Sequence, residues 1–168
     1  MEAARTTVSR IRERFRAAKV MTLLELSELL ERSARTVHRW LEHWGAISSY
    51  NCNGRYYTLP EVPSFDEHGL WQWHEVGFSR YGNLTETVRA LVKESDAGLT
   101  VAELGMLLGM DAQRFMTRLG AGPELSRFKC EGVFVYISGE PRRGRQQRAA
   151  RESKEAVRTS LPSDAQSV

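Results

Sequence analysis

Residues 22–59, TLLELSELLERSARTVHRWLEHWGAISSYNCNGRYYTL, recur at 100–137 as TVAELGMLLGMDAQRFMTRLGAGPELSRFKCEGVFVYI. The two stretches align without a gap at an offset of 100 − 22 = 78. At that offset Glu25 falls on Glu103, Leu26 on Leu104, Leu29 and Leu30 on Leu107 and Leu108, and Ala34 on Ala112. Val37 meets Phe115, Leu41 meets Leu119, Cys52 meets Cys130 and Gly54 meets Gly132. An apolar strand follows each of those glycines, Tyr56 to Leu59 and Phe134 to Ile137. A period this long, seen twice, indicates two copies of one small supersecondary unit rather than a solenoid.

Thr22-Leu23-Leu24-Glu25 and Thr100-Val101-Ala102-Glu103 are capping boxes, in which the Thr hydroxyl accepts from the third amide and the Glu reaches back to the cap amide. Each therefore starts a helix. Ahead of the first box, Val8, Ile11, Phe15 and Ala18 recur at helical spacing, so residues 8–19 form an amphipathic helix with an arginine-rich outer face. Behind it, Ser33 is an N-cap for a further helix running to Trp44, with Val37, Leu41 and Trp44 on its inner seam. Gly45 ends that helix, and Ile47 to Tyr50 can pair with Tyr56 to Leu59 across Asn51-Cys52-Asn53-Gly54, where Asn-Gly is a hairpin-turn signal. Two helices joined by a short turn are the helix-turn-helix signature. Three helices and a hairpin make a winged helix.

Ser33-Ala34-Arg35-Thr36-Val37-His38-Arg39-Trp40-Leu41, continuing through Gly45-Ala46-Ile47, resembles the recognition-helix stretch of bacterial winged helix-turn-helix regulators of the DeoR-like and related types. The resemblance covers residues 8–59. It implies a third helix lying in the major groove of DNA and a hairpin wing touching the backbone or the minor groove.

In the second copy Val88, Leu91 and Val92 lie on a first helix capped near Asn83 or Thr85, and Asp111 caps the third. Phe115 and Leu119 are expected in its core. Gln113, Arg114, Met116, Thr117 and Arg118 are expected outside, and Gly120 to Pro123 end this helix early. The expected fold is mainly α with small β-hairpin wings (α+β), two winged helix-turn-helix domains in tandem. The expected divisions are 1–59, an ordered aromatic connector at 60–82, a second domain at 83–139, and a basic helix or arm with a disordered end at 140–168. The connector holds Phe65, Leu70, Trp71, Trp73, Phe78 and Tyr81, too apolar for a solvated linker. Together with the second copy it resembles bacterial tandem winged-helix proteins associated with mobile elements.

The 168 residues carry a net charge of only +3, but the cations are clustered. Arg10, Arg12, Arg14, Arg16 and Lys19 crowd the first helix, and Arg142, Arg143, Arg145, Arg148, Arg151, Lys154 and Arg158 crowd the tail. Such clusters beside recognition elements suit a polyanion. No apolar run reaches the roughly 20 residues needed to span a bilayer, and the arginines near the start precede no apolar stretch of a secretory signal. A cytoplasmic protein without a membrane partner is expected. Cys52 and Cys130, expected as strand residues ahead of each hairpin turn, have no clustered partners for zinc. His38, His43, His68 and His74 lie on different elements. No phosphate loop, nucleophile elbow or paired-His motif occurs, so no catalytic residue, metal or cofactor is assigned.

The expected partner is double-stranded DNA, bound by a transcriptional regulator or accessory factor. Arg35, Thr36, His38 and Arg39 would face base edges, with Arg35 and Arg39 able to pair with guanine. Arg55, Arg12 and Arg16 would grip phosphates, assisted by Gln113, Arg114, Thr117, Arg118 and Lys129 of the second copy and by Arg142 and Arg143 of the tail. The alternative is an interaction module that binds a protein partner or forms a homodimer, in a chromosome- or mobile-element-associated complex, since fold alone does not decide function.

Overall fold

A computed structural model describes residues 2–120 and 122–160. The chain is mixed α and β, and its contacts divide it into two compact units, Met1–Thr87 and Val88–Val168.

The first unit opens with α1 (Glu2–Ala18), followed by β1 (Val20–Thr22), α2 (Leu23–Leu30), α3 (Ala34–His43), β2 (Ile47–Ser48) and β3 (Tyr56–Thr58). Helix α1 forms on the pair Ile11 and Phe15, one turn apart and both buried. It stops at Lys19, whose φ of 69° lies in the left-handed region. That conformation costs a non-glycine residue about 1–2 kcal/mol. The position is held by the Thr58 hydroxyl donating to the Lys19 carbonyl at 2.7 Å and by the Lys19 ammonium 4.6 Å from the Trp73 ring centre. Thr22 caps α2 by accepting from the Glu25 amide at 3.1 Å, and Ser33 caps α3 by accepting from the Thr36 amide at 3.4 Å. Phe15, Leu26, Val37, Leu41 and Leu59 meet in the core, with Met21, Trp44 and Tyr57 packed around them. The sheet has the order β1-β3-β2, fully antiparallel.

The hairpin after α3 departs from a tight Asn-Gly turn. Pairing runs through Ile47 opposite Thr58 and Ser48 opposite Tyr57, and then the chain leaves the ladder. Cys52–Gly54 is a 3₁₀ turn, with Cys52, Asn53 and Gly54 all at positive φ, so Cys52 is an exposed turn residue and not a strand residue. The cause lies in the aromatic segment that follows. That segment is a second hairpin, β4 (Leu70–Trp73) with β5 (Val76–Ser79), and it captures the loop. The Tyr50 amide donates to the Gly77 carbonyl at 2.9 Å. The Asn51 side chain accepts from the Gly77 amide at 2.9 Å and donates to the Glu75 carbonyl at 2.9 Å. The Tyr50 ring lies where a Gly77 Cβ would be, 2.2 Å from its Cζ, so only glycine permits the approach. Burial pushes the Tyr50 hydroxyl up to about 12; the charge of Asp66 acts the same way, and the hydrogen bond from Gln72 acts against it.

The second unit repeats the order. It contains α4 (Leu84–Glu94, its first turn assigned to the first unit), β6 (Leu99–Thr100), α5 (Val101–Leu108), α6 (Gln113–Leu119), β7 (Leu125–Cys130) and β8 (Val133–Ser138), with sheet order β6-β8-β7. Asn83 caps α4 by accepting from the Glu86 amide. Thr100 and Glu103 form a complete capping box. The N-cap of α6 is Ala112 and not the expected Asp111, which stands one residue earlier and accepts from the Gln113 amide at 2.9 Å.

One inserted residue corrects the gapless repeat. Thr22 stands opposite Tyr56, whereas Thr100 stands opposite Val135, so the offset in the hairpin is 135 − 56 = 79. The additional residue falls in the turn between α5 and α6, because α5 keeps the offset of 101 − 23 = 78 whereas α6 starts at Gln113 where α3 starts at Ala34, an offset of 113 − 34 = 79. In a strand a one-residue slip exchanges the two faces, so Tyr57 corresponds to Tyr136 and not to Val135. Helix α6 carries the same shift: Met116 is buried where α3 buries Val37, while Phe115 and Leu119 are half-buried where α3 has Thr36 and Trp40. Met116 therefore belongs to the core and not to the outer surface.

The basic stretch after the second hairpin is α7 (Pro141–Ser160), and it packs back onto the unit that precedes it. Gly144 rests on β8, where an added Cβ would come within 2.7 Å of the Ser138 carbonyl. Gln147 is wholly buried. Its Oε1 accepts from the Ser138 amide at 2.8 Å, and its Nε2 donates to the Val92 and Ser95 carbonyls at 2.6 and 2.8 Å. Residues 161–168, expected as a disordered end, lie outside the described residues.

Candidate nucleic-acid interface

Helix α3 turns Val37 and Leu41 inward, which at 100° per residue leaves Arg35 and Arg39 on the side facing away from the core. Both are exposed, and among the described residues neither is in an ion pair. His38 lies on one flank, exposed, its ring 6.2 Å from that of Tyr57 on β3. Thr36 lies on the other flank, half-buried, its hydroxyl 3.3 Å from that of Ser33. Arg55, also exposed, follows the 3₁₀ turn directly. The fold thus places Arg35, His38 and Arg39 on one solvent-facing surface of α3, with the β3 strand beside His38.

The remaining candidates are placed differently. Arg12 and Arg16 both reach Glu61, at 2.8 and 3.7 Å, and Arg16 also reaches Glu13 at 3.4 Å. Their charge is largely answered within the first unit. Arg143 is not a free arm residue: its Nε donates to the Lys93 carbonyl at 3.0 Å and its NH2 to the Ser95 carbonyl at 2.8 Å. With Gln147 it satisfies carbonyls at the C-terminal end of α4, the groups a helix leaves unpaired. Arg142 is exposed. Arg151 is 6% exposed and bonded to Glu103. The acid's burial disfavours its charge, but the Arg151 hydrogen bond and charge, with Thr100, outweigh that and hold Glu103 below the usual carboxylate range.

On α6, Arg114 and Arg118 are exposed. Gln113 and Thr117 are exposed but bonded to each other: the Thr117 hydroxyl donates to the Gln113 carbonyl at 2.9 Å, and Gln113 Nε2 lies 3.4 Å from Thr117 Oγ1. Lys129 and Arg127 flank Phe134 on the hairpin, 5.4 and 4.2 Å from its ring centre. Reasoning from sequence missed the internal roles of Gln147 and Arg151, because a polar side chain on a polar helix carries no burial signal. Their spacing with Arg143, at i, i+4 and i+8, is the one trace.

Among the described residues no group of His, Cys, Asp and Glu side chains is arranged to hold a metal ion, and no helix is long and apolar enough to cross a membrane. No known family model and no curated protein matches the chain.

Proposed function

We propose that this chain is a tandem winged-helix protein that binds double-stranded DNA sequence-specifically through α3 of the first unit, as a transcriptional regulator or an accessory factor. The observation that carries this reading is the pair Arg35 and Arg39, exposed one turn apart on α3 and free of carboxylates among the described residues. Guanidinium groups in that position suit bidentate contact with guanine in the major groove. Arg55, on the hairpin that follows, suits a phosphate, which positions a protein without specifying sequence. The helix–strand–helix–helix–strand–strand order of both units supports the fold assignment.

The test is selection of a binding site from random duplexes, followed by titration of Arg35→Ala with Arg39→Ala. Specific affinity is expected to fall by a few kcal/mol in total, at about 1–3 kcal/mol for each bidentate contact, while nonspecific affinity changes less. An unchanged footprint and affinity in the double variant would remove α3 as the reading element.

A further inference from the structure

The two units share a backbone plan, and Arg114 and Arg118 of α6 stand where α3 has Arg35 and Arg39, but the surface between α5 and the hairpin differs. Helix α5, the turn into α6 and the β7–β8 hairpin enclose a groove of about 1040 Å³. Met106, Val133 and Phe134 line it, 84%, 53% and 38% exposed. At the offsets set by the two folds, these residues stand where the first unit has Glu28, Gly54 and Arg55. Apolar side chains therefore occupy the positions that are charged or bare in the first unit. The phosphate-gripping candidate Arg55 corresponds to Phe134.

We infer that this groove docks an acidic amphipathic segment of a partner protein, one that presents aromatic or aliphatic anchors flanked by Asp and Glu. The lining weighs against a phosphate backbone, because solvated phosphates gain nothing from Met, Val and Phe, whereas an amphipathic segment buries its apolar face on such side chains. The polar residues at the rim of α6 point the same way, since Gln113 and Thr117 are already bonded to each other. Charge complementarity selects the occupant. The Arg127 guanidinium lies 4.2 Å and the Lys129 ammonium 5.4 Å from the Phe134 ring centre, so cations are stacked beside the apolar floor. Arg114 and Arg118 are exposed on the neighbouring helix. The groove lining itself holds one base, Arg127, and one acid, Asp111, so the cationic excess comes from Lys129, Arg114 and Arg118 around it. An apolar groove with a cationic rim is complementary to an acidic helix laid in by its apolar face.

The inference is independent of the DNA-binding reading, and the experiment separates them. The full chain is used to select from a displayed random-peptide library, and enriched peptides are titrated by fluorescence anisotropy. Against Met106→Glu with Phe134→Ser, the Kd is expected to rise at least tenfold, with circular dichroism and duplex binding unchanged. If that variant misfolds, Arg127→Glu on the exposed rim is expected to weaken the same peptides at least tenfold and to flatten the salt dependence of their binding. Enrichment of basic or charge-free peptides, equal binding by both groove variants, loss of self-association in the groove variant, or loss of its duplex binding would each overturn the assignment. Failure of the full chain to select any duplex would bear on α3 alone.

Discussion

Glu103 completes the capping box of α5 through Thr100 and also receives the buried guanidinium of Arg151 from α7. Its carboxyl is held below the ordinary value of 4.5, because the Arg151 bond and charge more than offset the burial that opposes ionisation. A carboxylate whose folded pKa is depressed contributes stability above its unfolded pKa and loses it as pH falls through the folded one. The melting temperature of the second unit is therefore expected to decline as pH drops below about 4.5, and Glu103→Gln is expected to flatten that decline. Because the Glu103 side chain is 39% exposed, solvent screening keeps the effect small. Thermal melts of both proteins from pH 3 to 7 measure it; parallel profiles would show that Glu103 is not the linked group.

Helix α7 illustrates what an element can conceal. Gln147 joins it to the Ser138 amide and to the Val92 and Ser95 carbonyls from a fully buried position. Gln147→Met keeps the volume but strands those groups, at about 1–3 kcal/mol for each one left unpaired. Urea unfolding is expected to show the loss, while Arg145→Ala on the exposed face is expected to stay within about 0.5 kcal/mol of the parent; equal stability for Gln147→Met would mean that α7 is dispensable to the unit. Before the structure, α7 was legible only as a basic helix, because hydrophobic periodicity cannot report a helix anchored by Gln and Arg. The caps at Thr22, Ser33 and Thr100 and the core of Phe15, Leu26, Val37 and Leu41 were legible, since each rests on local chemistry or on helical spacing. The hairpin register was not. Strand β8 buries Val135, Tyr136, Ile137 and Ser138 in succession, so it lacks the alternation that would reveal which face turns inward. The one-residue shift of α6 was hidden for a related reason: Phe115 and Met116 are adjacent and both apolar, and only packing chooses between them. Of the candidate interface, Arg35 and Arg39 were legible from the position of Val37 and Leu41, but the engagement of Arg12 and Arg16 with Glu61 needed the fold.

For the whole molecule, the count of available cations is smaller than the sequence suggests. Arg12 and Arg16 share Glu61, Arg143 bonds carbonyls of the second unit, and Arg151 is buried against Glu103. If the proposed reading face is Arg35, Arg39 and Arg55, about three guanidinium groups displace counterions from the duplex. The logarithm of the binding constant then falls with the logarithm of salt at a slope of about −3. Were the exposed Arg10 and Arg14 of α1 and Arg142 and Arg145 of α7 also engaged, the slope would steepen to about −6 by the same relation. Measuring affinity for a selected duplex between 50 and 300 mM salt distinguishes the two. The shallow slope is the expected result, and Arg55→Ala is expected to reduce it by about one further unit while leaving sequence preference intact. A steep slope insensitive to Arg55 would move the phosphate contacts from the first hairpin to α1 and α7, and would make the internal pairing of Arg12, Arg16 and Arg143 a resting arrangement that DNA displaces.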